Sequence, residues 1–190
     1  MKFSKALFFL FLILSFASCD LVNELIPDVN TDFTKPFQIQ IFSNNGESQN
    51  QMVDVTTSSE YNNFKSNIGG FEITKITYKI KNFNAPEDMY FNGTVICSNE
   101  EASETYTIGT MKNESLSELA ATGLENNMTL TNENITKIIG WLESPGRFNV
   151  RSGYALSKQD GTPYGINGTN AGSNFEFVVK FYVTVKTKVK

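Results

Sequence analysis

Carboxylates, lysine or tyrosine are the residues of this chain left for an enzyme's chemistry. Glu100, Glu101 and Glu104 fall within one short stretch, and acids held at a fixed separation are what glycoside hydrolysis requires. Three acids in one turn between strands read more simply as a solvated loop. Asp28-Val29-Asn30-Thr31-Asp32 alternates like a calcium loop. Phe33 and Ile39 then stand where the loop needs glycine and a bidentate glutamate, so the motif fails. Histidine is absent from the chain. Its absence removes the usual general base, the Ser-His-Asp triad and imidazole metal sites together. Cys19 and Cys97 are the two cysteines, too few for a zinc site. No cofactor is expected. Arg147 and Arg151 share one strand parity. They could hold a carboxylate ligand or form a polar outer face opposite Phe148 and Val150. Trp141, Tyr154 and Tyr164, with the Asp160–Gly165 loop, are the candidate ligand-binding residues: aromatic rings on loops can stack on sugars. Trp141 lies off the apolar stripe of its helix, which also suits a rim residue covering one end of the domain.

The remaining candidate is Cys19. Lys2 and Lys5 open the chain, an apolar run spans Ala6 to Leu14, and Phe16-Ala17-Ser18 lead into the cysteine. The run is too short to cross a bilayer, which takes about 20 residues, and it fits the apolar region of a signal peptide. Small residues directly before a cysteine resemble the lipobox of bacterial lipoproteins, with Phe16 where leucine is usual. That resemblance implies a diacylglyceryl group on the Cys19 thiol, cleavage just before it, and an acylated amino terminus. Two or three chains on one residue hold a protein durably, whereas one chain binds reversibly. Cys97, within Val95-Ile96-Cys97, then has no partner and reads as a buried thiol. A Cys19–Cys97 disulfide is the competing arrangement for an exported protein.

Loss of residues 1–18 removes two lysines and no acid, taking the formal charge from −4 to −6. A mildly acidic chain without a basic patch argues against nucleic acid and against electrostatic adhesion to anionic lipid. Lys180, Lys186, Lys188 and Lys190 share one strand parity and read as a solvated face.

Residues 19–32 form an acidic tether, and a single domain spans 33–190. Its apolar residues mostly alternate. Phe175, Phe177, Val179, Phe181, Val183 and Val185 share one parity, and Phe148, Val150, Ser152, Tyr154 and Leu156 another. Such runs bury one face and wet the other, as in antiparallel sheets. Phe71 and Ile73 lie on one parity and Ile76, Tyr78 and Ile80 on the opposite one, which predicts a bulge near Thr74-Lys75. Two helices interrupt the strands. Thr57-Ser58-Ser59-Glu60 reads as a capping box ahead of Tyr61, Phe64 and Ile68, with Gly69-Gly70 as the stop. A second helix begins near Thr131 or Asn132 and places Ile135, Ile138, Ile139 and Leu142 on one face, ending at Ser144-Pro145-Gly146. Leu116 to Ala121 fits a short helix or a strand.

The expected fold is mainly β: an antiparallel two-sheet β-sandwich of the immunoglobulin-like or Greek-key type, with two short helices. A lipocalin-like β-barrel is the alternative. Signal, composition and strand pattern together resemble small envelope lipoproteins of Bacteroidetes-type bacteria, a resemblance that brings no activity with it. The expected function is non-catalytic binding or structural support by an exported protein, lipid-anchored at the bacterial cell envelope. Its partners would be the membrane, through Cys19, and a glycan or an envelope protein. The outer membrane is the expected address, although Asp20 resembles the inner-membrane retention signal of enteric bacteria. Alternatives are a surface glycan-binding accessory lipoprotein, a carrier of a small apolar ligand with an internal cavity, and a hydrolase working through carboxylates alone.

Overall fold

Six apolar residues on one parity build the spine of the fold. They belong to β10 (Asn174–Thr187), whose Phe175, Phe177, Val179, Phe181, Val183 and Val185 are all buried. The computed structural model describes residues 28–40, 45–165 and 172–188. The signal segment, Cys19 and the first part of the tether lie outside the described residues. β10 lies between β1 (Val29–Gln40) and β4 (Ile68–Asn84), and β7 (Asn126–Asn127) pairs with the far side of β4. The second sheet runs in the order β2 (Asn45–Glu47), β9 (Arg147–Ser157), β5 (Tyr90–Ser98), β6 (Thr105–Ser115) and β8 (Thr129–Leu130). β3 (Gln51–Asp54) also pairs with β9, further along the same side as β2. All pairings between these strands are antiparallel.

The sheets pack face to face and do not close into the alternative barrel. Rings from both inner faces interlock. Phe91 lies 5.3 Å from Phe177 and 5.7 Å, edge-on, from Phe175, and Phe148 meets Phe181 at 5.6 Å. Such geometries are favoured over stacked sandwiches because the ring edge is positive and the face negative. Cys97 sits in this core as a fully buried free thiol, and burial pushes its pKa up.

The parity shift in β4 is a β-bulge. Lys75 pairs with Tyr182 and Ile73 with Val183, which leaves Thr74 as the extra residue. Both apolar sets thereby face the core. The first strand starts earlier than expected, because Val29 to Asp32, assigned above to the tether, pair with Val185 to Tyr182 of β10.

Three short α-helices are present among the described residues, against the two expected. α1 (Ser59–Phe64) is capped by Ser58, whose hydroxyl accepts from the Tyr61 amide, rather than by Thr57. Thr57 instead closes a preceding 3-10 turn, donating to the Asp54 carbonyl at 2.8 Å. The Glu60 side chain lies outside the description. Ile68 opens β4 instead of completing the helix. Leu116 to Ala121 are helical, within α2 (Leu116–Thr122). Ser115 caps it, and Gly123, at φ +60, ends it in the left-handed conformation suited to glycine. α3 (Asn132–Glu143) buries Ile135, Ile138 and Leu142 as its spacing predicts, and packs on β4, β6 and β9.

Candidate binding cleft

Described residues at one flank of the sandwich form a cleft. Phe37, Gln38, Ile39 and Gln40 of β1 face Glu47, Ser48, Gln49 and Gln51 of the other sheet's edge, across a cleft of about 500 Å³ that Tyr154 also lines. Alternation along β1 decides what each residue contributes. Phe37 and Ile39 turn inward and are buried, while Gln38 and Gln40 are exposed.

The second wall is held by a small network. The Ser48 amide donates to the Ser152 carbonyl at 2.8 Å, and the Ser152 amide donates to the Ser48 hydroxyl at 2.8 Å. Ser48 is thereby fixed against β9, and Gln49 stands at the mouth. Glu47 is 3.2 Å from the Arg151 guanidinium. On the opposite wall Gln38 donates to Glu176 at 2.8 Å.

Tyr154 comes from β9, between the two walls. Its ring stacks on Phe91 with centroids 6.3 Å apart. Gly46 makes room for it, since a Cβ there would stand 2.5 Å from the tyrosine oxygen. Burial raises the phenol's pKa, so at neutral pH it is a protonated donor. A second, broader concavity of about 770 Å³ lies on the outer face of the second sheet, over Thr94, Ile96, Gly153 and Ala155, and meets the cleft at Tyr154 and Glu47.

The three aromatics singled out in the sequence occupy different places. Trp141, on α3, is half-buried and packs against Tyr106 at 5.6 Å. Tyr106 opposes Cys97, and Cys97 opposes Val150. Val150 is four residues from Tyr154, about 13 Å along β9. Tyr164 donates its amide to the Leu156 carbonyl and its hydroxyl to Asp88 at 3.2 Å. Burial, with the Asp88 charge, raises that phenol's pKa. Of the three, Tyr154 is the one that lines the cleft.

The charged candidates are engaged with one another. Glu100 accepts from Arg147 at 2.9 Å, while Glu101 and Glu104 are exposed on a turn that Asn99 organises. Arg147 and Arg151 thus face different acids, Glu100 and Glu47. Asp28 pairs with Lys186 at 3.1 Å and accepts from the Thr187 amide, contacts that hold its carboxyl below the usual range. Asn30 accepts from Thr184 at 2.7 Å, so the calcium-like spacing is spent on pairing β1 to β10. Among the described residues, no group of three or more His, Cys, Asp or Glu side chains could hold a metal ion. No described helix is long and apolar enough to cross a membrane.

No family model matches the chain. No curated protein matches it either. Among solved structures, it is similar to a chain of Desmodium yellow mottle tymovirus at 7% identity and a TM-score of 0.28, over 87% of this chain and 86% of that one. A chain of turnip yellow mosaic virus is similar at 8% identity and a TM-score of 0.25, over 85% and 96% respectively. Scores this low carry no argument about function.

The glutamines of the cleft went unmarked in the sequence. Amides have no diagnostic spacing, and these belong to opposite sheets. The available signal was Phe37-Gln38-Ile39-Gln40, which sets two amides on one face of a strand.

Proposed function

We propose that this chain is an exported, lipid-anchored protein of the bacterial cell envelope, expected at the outer membrane. Its β-sandwich binds a partner rather than catalysing a reaction. The observation that carries the binding reading is the cleft between β1 and the β2–β3 edge. It combines a rigid wall, an apolar floor and side-chain amides at its mouth. Concave sites with a few convergent polar groups are the usual places where ligands bind. The inter-sheet space itself is filled by interlocking rings, which favours a surface site over the internal cavity a carrier would need.

The anchor rests on the signal segment and is supported by Cys97. That thiol is fully buried and unbridged, which argues against the competing Cys19–Cys97 disulfide. Residues 20–28 would join the lipid to Val29 over at most about 30 Å. β1 then rises away from the tethered end, and its Gln40 end, with the cleft, is about 35 Å further on. The cleft thus belongs to the end of the domain far from the tether.

The test is cell fractionation of the full chain carrying Cys19→Ala. The wild type is expected in the membrane fraction and the variant in the soluble fraction. A variant that stays with the membrane contradicts the anchor.

A further inference from the structure

We propose that the cleft between β1 and the β2–β3 edge holds a neutral, hydroxyl-rich ligand, a short segment of polysaccharide; this rests on the binding reading above. Six of its nine described lining residues are polar: Gln38, Gln40, Glu47, Ser48, Gln49 and Gln51. An amide offers one accepting oxygen and two donating hydrogens. A pair of adjacent sugar hydroxyls, each donating and accepting, complements that set. Among the described residues the Tyr154 hydroxyl and the side chains of Gln40 and Gln49 make no hydrogen bond elsewhere. Three uncharged groups are therefore unspent around one space. Its volume, about 500 Å³, falls within the range of roughly 300–1,000 Å³ usual for small-ligand sites.

Other ligand classes fit less well. Among the described residues no lysine or arginine lines the cleft, and Glu47 beside it is already paired with Arg151, so an anion would find no free cation there. An apolar ligand would strip water from the amides without replacing it, which costs free energy for each group left unpaired. An extended peptide would need the backbone edge of β1. Pro36 stands just before the cleft and lacks the N–H that a continuing ladder requires.

The experiment uses the full chain purified from membranes in detergent. It is run through native gels containing β-glucan, mannan, xylan or polygalacturonate, and titrated in parallel with a fluorescent extended decapeptide. The wild type is expected to be retarded by at least one neutral polysaccharide. Tyr154→Phe keeps the ring on Phe91 and removes one hydroxyl, and should weaken that binding about fivefold. The double variant Gln40→Ala/Gln49→Ala should weaken it at least tenfold. Both should melt like the wild type. Retardation by polygalacturonate alone, or neutral binding that both variants leave intact, overturns the proposal. Capture of the peptide and not the sugars, lost in the same variants, overturns the ligand class and leaves the binding reading standing. No binding to any probe overturns both.

Discussion

The two flanks of this sandwich are built from similar pieces and end differently. On one flank the chain steps from sheet to sheet within five residues. β7 pairs with β4, β8 pairs with β6, and Met128 between them is buried, donating its amide to the Ile76 carbonyl at 2.9 Å. Tyr78 of β4 crosses that same flank toward Glu114 of β6, and burial with the Glu114 charge raises its phenol's pKa. On the other flank β1 and β2 belong to different sheets, and described residues of their edges, glutamines among them, line a cleft of about 500 Å³. A methionine is a flexible apolar plug, whereas exposed amides need hydrogen-bonding partners. The difference suits one flank to a structural role and, on the proposal above, the other to a ligand.

Phe91→Ala should have the largest effect, because Phe91 backs both regions: it touches Phe175 and Phe177 in the core and Tyr154 in the cleft. A loss of about 3–5 kcal/mol is expected in urea unfolding, with weakened cleft binding alongside. A loss below about 1 kcal/mol would mean that the core does not support the cleft as described.

Matched glycine substitutions compare the flanks directly. A Cβ on Gly109 would collide with the buried Met128 side chain, and one on Gly46 with the half-buried end of Tyr154. Gly109→Ala is expected to cost about 1–3 kcal/mol, as overpacking in a closed site does. Gly46→Ala should cost less, since the tyrosine can swing into the cleft, and should reduce ligand binding. Equal losses in stability would erase the distinction between closed and open flanks.

The smallest effect concerns the tethered end. Asp28→Asn removes the acid that Lys186 and the Thr187 amide hold at a lowered pKa. A lowered folded-state pKa stabilises above the ordinary carboxylate range, and that contribution fades as pH falls through the lowered value. The variant should therefore melt slightly below the wild type at pH 7 and converge with it in acid. A gap that widens in acid would contradict the assignment.

Much of the sandwich was legible in the sequence, for identifiable reasons. The alternation in β10 and β9 reports burial of one face, and the parity shift at Thr74 reports a bulge because a single inserted residue swaps faces. α3 was legible because four apolar residues share its stripe. β7 and β8, at two residues each, are too short to alternate. Val29–Asp32 reads as a polar tether until β10 supplies its partner. The Ser58 cap competes with Thr57 at one residue's distance, and only the helix's true start decides between them. The cleft was the least legible, because it arises where two sheets leave a gap. Tyr154 alone pointed to it, while Trp141 and Tyr164 found partners in Tyr106 and Asp88.

The cleft's place in the cell depends on where the chain is held. The most direct measurement is mass spectrometry of the amino-terminal peptide of the mature protein isolated from membranes. Our account predicts that the peptide begins at Cys19 and carries a diacylglyceryl group on its sulfur. A mature chain that starts elsewhere, or a Cys19 thiol that is free or bridged to Cys97, would contradict it.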